Sequence, residues 1–236
     1  MKTVALMILV LGLCICAPGC GNAPAEDTPV PSSPRTVPLP EPSLKGERSL
    51  EEAITLRMSV REYASTPVSL ECLAQVLWAA AGRTDTADAV SGATRPAPSA
   101  GATHPLEVYV AAGDVKTLPP GVYRYDRDAH SLEPVLDGDF RKSVAQAALG
   151  QAAVENAPVT VIIAADYTRT TGRYGERGTR YVHMEAGGAT QNMCLQAASL
   201  GMGCVVVGAF DDNALKDSLG ILEEPVLLVP VGWPAP

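Results

Sequence analysis

The sequence predicts an α+β fold, with a sheet held between helical layers. Three observations carry this. Helical and strand signals alternate without a strict strand–helix–strand rhythm. The run from Pro158 to Ala165 is apolar and β-branched, as a strand buried on both faces must be. Stretches with helical stripes are bounded by capping residues and glycines.

Taken in order, Ser49 and Glu52 form a capping box, which starts a short helix running from Leu50 to about Leu56. Ser69 caps a second helix, Leu70 to Ala81, whose Leu70, Leu73, Val76 and Leu77 make one stripe and which Gly82 closes. Residues 83–97 read as loop. Leu106 to Ala112 alternates as a strand, and Gly121–Asp126 with Ser131–Val135 reads as a hairpin or meander. A helix is expected from about Phe140 to Val154, then the buried strand to Ala165. Thr179 to Leu200 gives a long helix of about 22 residues, roughly 33 Å, stopped by Gly201. Gly187 and Gly188 inside it each cost about 1 kcal/mol relative to Ala, which points to close approach by another helix or a ligand. Cys204 to Val207 is a strand, Asp211 caps a short helix ending near Gly220, and Val226 to Val231 is the last strand.

The chain of 236 residues is long enough for one sizeable core. Its net charge of −8 and lack of a long basic tract exclude a nucleic-acid surface. The body holds only Cys72, Cys194 and Cys204, with no C-x-x-C pair and no metal site. They read as buried apolar filler, with a Cys194–Cys204 disulfide as the alternative. There is no dinucleotide fingerprint, Walker A sequence or nucleophile elbow. His183 with Glu185 lacks the cysteines of a zinc deaminase and reads as a helix-face residue.

The N-terminus is a targeting segment. Met1 and Lys2 precede an apolar run of about 12 residues, Val4 to Ile15, too short for a membrane span. The small residues before Cys20 resemble a lipobox. That resemblance implies a signal peptide over residues 1–19 and lipidation of Cys20, which would anchor the chain to the cell envelope. An ordinary secretory signal cut near Gly19 or Gly21 is the alternative. Residues 20–45 are rich in Pro and Ser and read as a disordered tether. Residues 46–236 form the globular domain.

Arg57, Ser59 and Arg61 are spaced so that an extended backbone puts two guanidiniums and a hydroxyl on one face. Such a face suits a phosphate. Alternatively, Arg57 simply favours the negative end of the preceding helix.

Several segments then match one pattern in order. They are Arg57-x-Ser59-x-Arg61, the Pro-Ser-Ala-Gly-Ala-Thr-His-Pro run from Pro98 to Pro105, Gly121–Tyr125, Ala157–Pro158, Glu185–Asn192, Gly201–Gly203, Gly208–Phe210 and Pro230–Gly232. Over about Leu50 to Pro234 the chain resembles the flavin-dependent nitroreductase superfamily. The Pro98–Pro105 run and the Gly121–Tyr125 hairpin are similar to its thiazoline/oxazoline oxidase branch.

The resemblance implies a three-layer α/β/α sandwich with a central mixed sheet, an intertwined homodimer, and FMN bound between subunits. Arg57 and Ser59 would hold the phosphate, and Arg61 would reach the pyrimidine side of the ring. Pro98, Ser99, Ala100 and Gly101 would come from the partner subunit. Gly208 and Ala209 would present backbone N–H groups, with Gln151 a looser candidate. His104 is a candidate for proton transfer. The implied activity is hydride and electron transfer to or from a small organic or peptide-heterocycle substrate. A lipid-anchored ligand-binding protein of the same fold is the alternative. The chain departs from the pattern in one respect: many members carry a basic residue after the last strand, and here that stretch is Trp233–Pro236.

Overall fold

The computed structural model describes residues 35–84 and 95–236. The expected signal peptide, Cys20, the first part of the tether and residues 85–94 of the expected loop lie outside them. Among the described residues, seven strands form one sheet: β1 (Val37–Pro38), β2 (Leu106–Ala112), β3 (Gly121–Asp126), β4 (Ser131–Asp137), β5 (Val159–Ala165), β6 (Gly203–Cys204) and β7 (Glu224–Gly232). Their spatial order is β1-β4-β3-β2-β5-β7-β6. Every ladder between these strands is antiparallel. The parallel character expected of a mixed sheet is confined to two isolated bridges, Ser59 with Cys204 and Val68 with Val115.

The helices are α1 (Leu50–Leu56), α2 (Leu70–Ala81), α3 (Arg141–Ala147), α4 (Ala152–Glu155), α5 (Thr168–Tyr174), α6 (Arg177–Ser199) and α7 (Asp212–Leu219). The β5 side chains show why three layers result. Val159, Val161 and Ile163 join a core built with Leu73 and Leu77 of α2 and Val182, Ala186 and Met193 of α6. Ile162 and Ala164, pointing the other way, pack with Val144 of α3, Val154 of α4 and Leu215 of α7. A strand hydrogen-bonded on both sides and covered on both faces has no place for a polar pattern, so its run is apolar except for the buried Thr160.

Local signals set the ends of several elements. The capping box of α1 is present, with Ser49 Oγ accepting from Glu52 N at 3.1 Å and Glu52 Oε2 accepting from Ser49 N at 2.7 Å. Ser69 and Asp211 cap α2 and α7 in the same one-sided way, and Gly220 ends α7 in the left-handed conformation that glycine tolerates.

Three expectations are corrected. The single helix from Phe140 to Val154 is two, because Leu149 and Gly150 both take positive φ (58° and 73°) and break the α3–α4 path. Residues 168–174, given no element by sequence, form α5. The later tether residues, expected to be disordered to residue 45, follow the domain instead. Val37 and Pro38 pair with Leu132 and Ser131, Leu39 is buried, and Ser43 exchanges hydrogen bonds of 2.8 and 3.0 Å with the Gln75 amide. Prolines are admitted there because β1 is an edge strand, where a missing N–H goes unneeded.

Candidate functional site

The segment after α1 is built to hold side chains in place. Arg57 ends the helix, its N–H still bonded to Ala53 O at 3.0 Å. The chain then extends along β6 and the C-terminal run. Val60 N donates to Cys204 O at 2.9 Å, Ala64 N to Trp233 O at 2.9 Å, and Ala235 N to Glu62 O at 3.0 Å. The Tyr63 hydroxyl lies 2.8 Å from Val60 O and 3.0 Å from Pro230 O. Burial raises its pKa well above the ordinary phenol value. Gly203 permits the close approach: a Cβ there would lie 2.6 Å from Val60 Cβ.

This segment forms one wall of a cleft of about 530 Å³. Arg57, Ser59 and Arg61 all line it, and so do Met58, Val60 and Glu62 between and beside them. Arg48, Gly201 and Pro234 line it too. None of the described ion pairs engages Arg48, Arg57 or Arg61. The single acidic lining residue is Glu62. On a chain of net charge −8, three guanidiniums against one carboxylate make this cleft locally positive.

Behind Arg57 lie two thiols. Cys204 Sγ donates to Cys194 Sγ at 3.3 Å, and both residues are buried at the back of the cleft. The hydrogen bond from Cys204 holds the Cys194 thiol below its ordinary pKa, helped by Arg57, while giving that bond and being buried push Cys204 up.

The remaining candidates fall in two further places. Gln151 Nε2 donates to Ala148 O and to Ala209 O, each at 2.9 Å. Its amide hydrogens thus join the α3–α4 turn to the exposed Gly208–Ala209 stretch. The structure therefore brings Gln151 and Ala209 together.

Pro98, Ser99, Ala100 and Gly101 do not line the Arg57 cleft. They sit on α6, where Pro98 Cδ lies 3.9 Å from a Cβ built on Gly188. At that distance a Cβ would be accommodated, and Gly187 has nothing within 4 Å, so close packing within the subunit does not account for the two helical glycines. Ser99 Oγ accepts from His104 N at 2.9 Å and donates to the buried Glu185, whose carboxyl is pushed above the ordinary range by burial. Gly101 has φ of 60°, and a Cβ there would meet Arg173 Nη1 at 2.8 Å.

The three histidines have different surroundings. The His104 ring is kept below its ordinary pKa by burial and by Arg95 and Arg127, so it is neutral near pH 7. His130 is used structurally, between Tyr125 Oη at 2.9 Å and Pro40 O at 2.8 Å. His183 pairs with the Tyr167 hydroxyl at 2.8 Å on the face of α6.

Sequence reasoning missed Arg48, which no motif marks. It also missed Glu107, a carboxylate only 3 % exposed that meets Arg169 at 2.8 Å, Arg127 at 2.9 Å and Arg124 at 3.1 Å. A charged residue inside the otherwise apolar β2 run was its available signal.

Comparison with known proteins gives the family and the fold. The model of the Nitroreductase family matches residues 54–233. A Methanocaldococcus jannaschii protein assigned as a nitroreductase is 48% identical over 186 residues, covering 79% of this chain and 91% of that one. The crystal structure of a protein assigned as a nitroreductase from Ralstonia eutropha superposes with a TM-score of 0.74 at 32% identity, covering 88% of this chain and 93% of the other. The Escherichia coli microcin synthetase McbBCD complex, solved with truncated pro-microcin B17 bound, shares the fold. Its TM-score is 0.66 at 21% identity, over 76% of this chain and 70% of that one.

Proposed function

The chain belongs to the nitroreductase family, and from that premise we propose that it is an FMN-dependent oxidoreductase. The observation that carries the proposal is the cleft lined by Arg57, Ser59 and Arg61, whose two guanidiniums have no ion-pair partner among the described residues. Its volume falls within the range of about 300–1,000 Å³ common for cofactor sites, and its donors suit a phosphate monoester.

FMN, when bound, supplies hydride and electron transfer. The chain's own residues bind and orient. Arg57 and Ser59 hold the phosphate, and Arg61 places positive charge toward the pyrimidine side of the ring. Gly208 and Ala209 offer backbone N–H groups, with the Gln151 carbonyl oxygen beside them as an acceptor. Pro98 to Gly101 lie outside the Arg57 cleft of their own subunit. In a homodimer they would complete the partner's site, and Glu185 and Ser99 would fix that loop's shape. A neutral His104 can accept a proton at its ring nitrogen.

The run from Pro98 to Pro105 favours a peptide-heterocycle or similar small organic substrate. The targeting segment favours an exported chain, lipid-anchored through Cys20. Such a location favours a donor other than NAD(P)H.

A visible spectrum of the purified protein tests the core of this reading. A yellow protein, or one that turns yellow on adding FMN, is expected; a colourless one that ignores FMN overturns it. Arg57→Ala should release the flavin, and an unchanged flavin content would remove Arg57 from the phosphate site.

A further inference from the structure

Arg48 reaches the same cleft from a segment the family model does not include, which begins at residue 54. Its Nη1 donates to Ala198 O at 2.5 Å, close to the last turn of α6. Its two terminal nitrogens lie 3.8 and 3.9 Å from a Cβ built on Gly201, so the guanidinium spans the glycine turn bordering the cleft.

That position matters electrostatically. The C-terminal end of the 23-residue helix α6 meets the cleft at Ala198, Gly201 and Met202. The exposed carbonyls of a helix end carry partial negative charge, which repels an anion. The C-terminal residues on the lining, Pro234 and Ala235, offer no cation. A guanidinium resting on the helix end cancels the local negative field. It also has further N–H donors beyond the one committed to Ala198, since the group carries five.

We propose that Arg48 is a second phosphate-binding residue, working with Arg57 to hold the phosphate of FMN. This rests on the cleft being the flavin site, as argued above. Gly201 makes the turn beneath the guanidinium, with a φ of 78° that glycine adopts readily. The competing role is purely structural, with Arg48 only capping α6.

The test compares dissociation constants for FMN and for riboflavin, which lacks the phosphate, by flavin fluorescence. The proteins are the full chain, Arg48→Ala, Arg48→Lys and Arg57→Ala, and each is also melted thermally. Arg48→Ala should weaken FMN by roughly tenfold, the scale of one charge-assisted hydrogen bond at a partly exposed site. Riboflavin binding should be unchanged, and Arg48→Lys should recover part of the loss. If Arg48→Ala lowers the melting temperature while the FMN-to-riboflavin ratio stays at the wild-type value, Arg48 is only a cap and the inference fails. In that case weakening by Arg57→Ala would leave the flavin reading standing. A wild-type protein that binds FMN no better than riboflavin would overturn the phosphate site itself.

Discussion

Replacing Gly203 by alanine should loosen the wall that carries Arg57 and Ser59. The added Cβ would sit 2.6 Å from Val60 Cβ and 3.0 Å from Val60 Cγ1. Carbon atoms rest at about 3.5–4.0 Å, so the segment must retreat by roughly 1 Å. That retreat stretches the 2.9 Å bond from Val60 N to Cys204 O and the bridge between Ser59 and Cys204. Overpacking of this kind costs about 1–3 kcal/mol, and a lost hydrogen bond about 1 kcal/mol. The smaller unfolded-state freedom of alanine returns about 0.4–1 kcal/mol. The net expectation is a destabilisation of about 1–3 kcal/mol. Urea unfolding followed by far-UV circular dichroism measures it. A double-mutant cycle with Val60→Gly isolates the contact, and its coupling should favour the double mutant by about 1 kcal/mol or more. The reasoning is refuted if Gly203→Ala is as stable as the wild type, or if the two changes are additive within about 0.5 kcal/mol.

Three further outcomes follow from other contacts. Glu107→Gln would leave three arginines around a neutral amide. It should cost about 3 kcal/mol, the low end for a broken buried pair because Arg124 and Arg169 are 43 % and 36 % exposed; a cost near zero in urea unfolding would show the arginines to be adequately solvated without it. Glu185, with its pKa raised by burial, holds its proton to higher pH when folded than when unfolded. Its contribution to stability should therefore fall as pH rises between those two values and stay flat outside them; Glu185→Gln should remove the fall, and parallel stability curves for the two proteins would contradict it. Cys194 and Cys204 hold their sulfurs 3.3 Å apart, against about 2.05 Å in a disulfide. Diamide should take two hydrogens from the tryptic peptide spanning residues 181–216, which contains both cysteines; an unchanged mass would mean that the cleft shields them from oxidation.

Elements whose signals are local were legible in the sequence. The caps at Ser49, Ser69 and Asp211 located α1, α2 and α7, and the apolar run located β5. Arg57, Ser59 and Arg61 line one cleft, but the whole run from Leu56 to Glu62 does so, and the i, i+2, i+4 spacing does not single them out. Elements that depend on distant partners were less legible. β1 is two residues between prolines and exists because β4 offers an edge. α5 is rich in threonine, a poor helix former, and is held by packing on α6, with Thr103 and Thr170 hydroxyls meeting at 2.8 Å. The break after α3 rests on Leu149 taking a left-handed φ, which leucine does not advertise. Arg48 and the Cys194–Cys204 contact are tertiary facts: residues 150 and 10 positions apart meet only after α6 has packed.

The attachment of residues 37–43 to the domain has a mechanical consequence. A pull on the chain ahead of Arg35 would first load the Val37–Leu132 and Pro38–Ser131 pairs, then the bonds from His130 to Leu39 and Pro40, and next the two bonds between Ser43 and Gln75. These links would yield in turn, like a short zip at the sheet margin, before any tension reached Arg48. Strain at the N-terminal end would thus be spent on a sacrificial strap, and the cleft five residues further on would keep its shape under load.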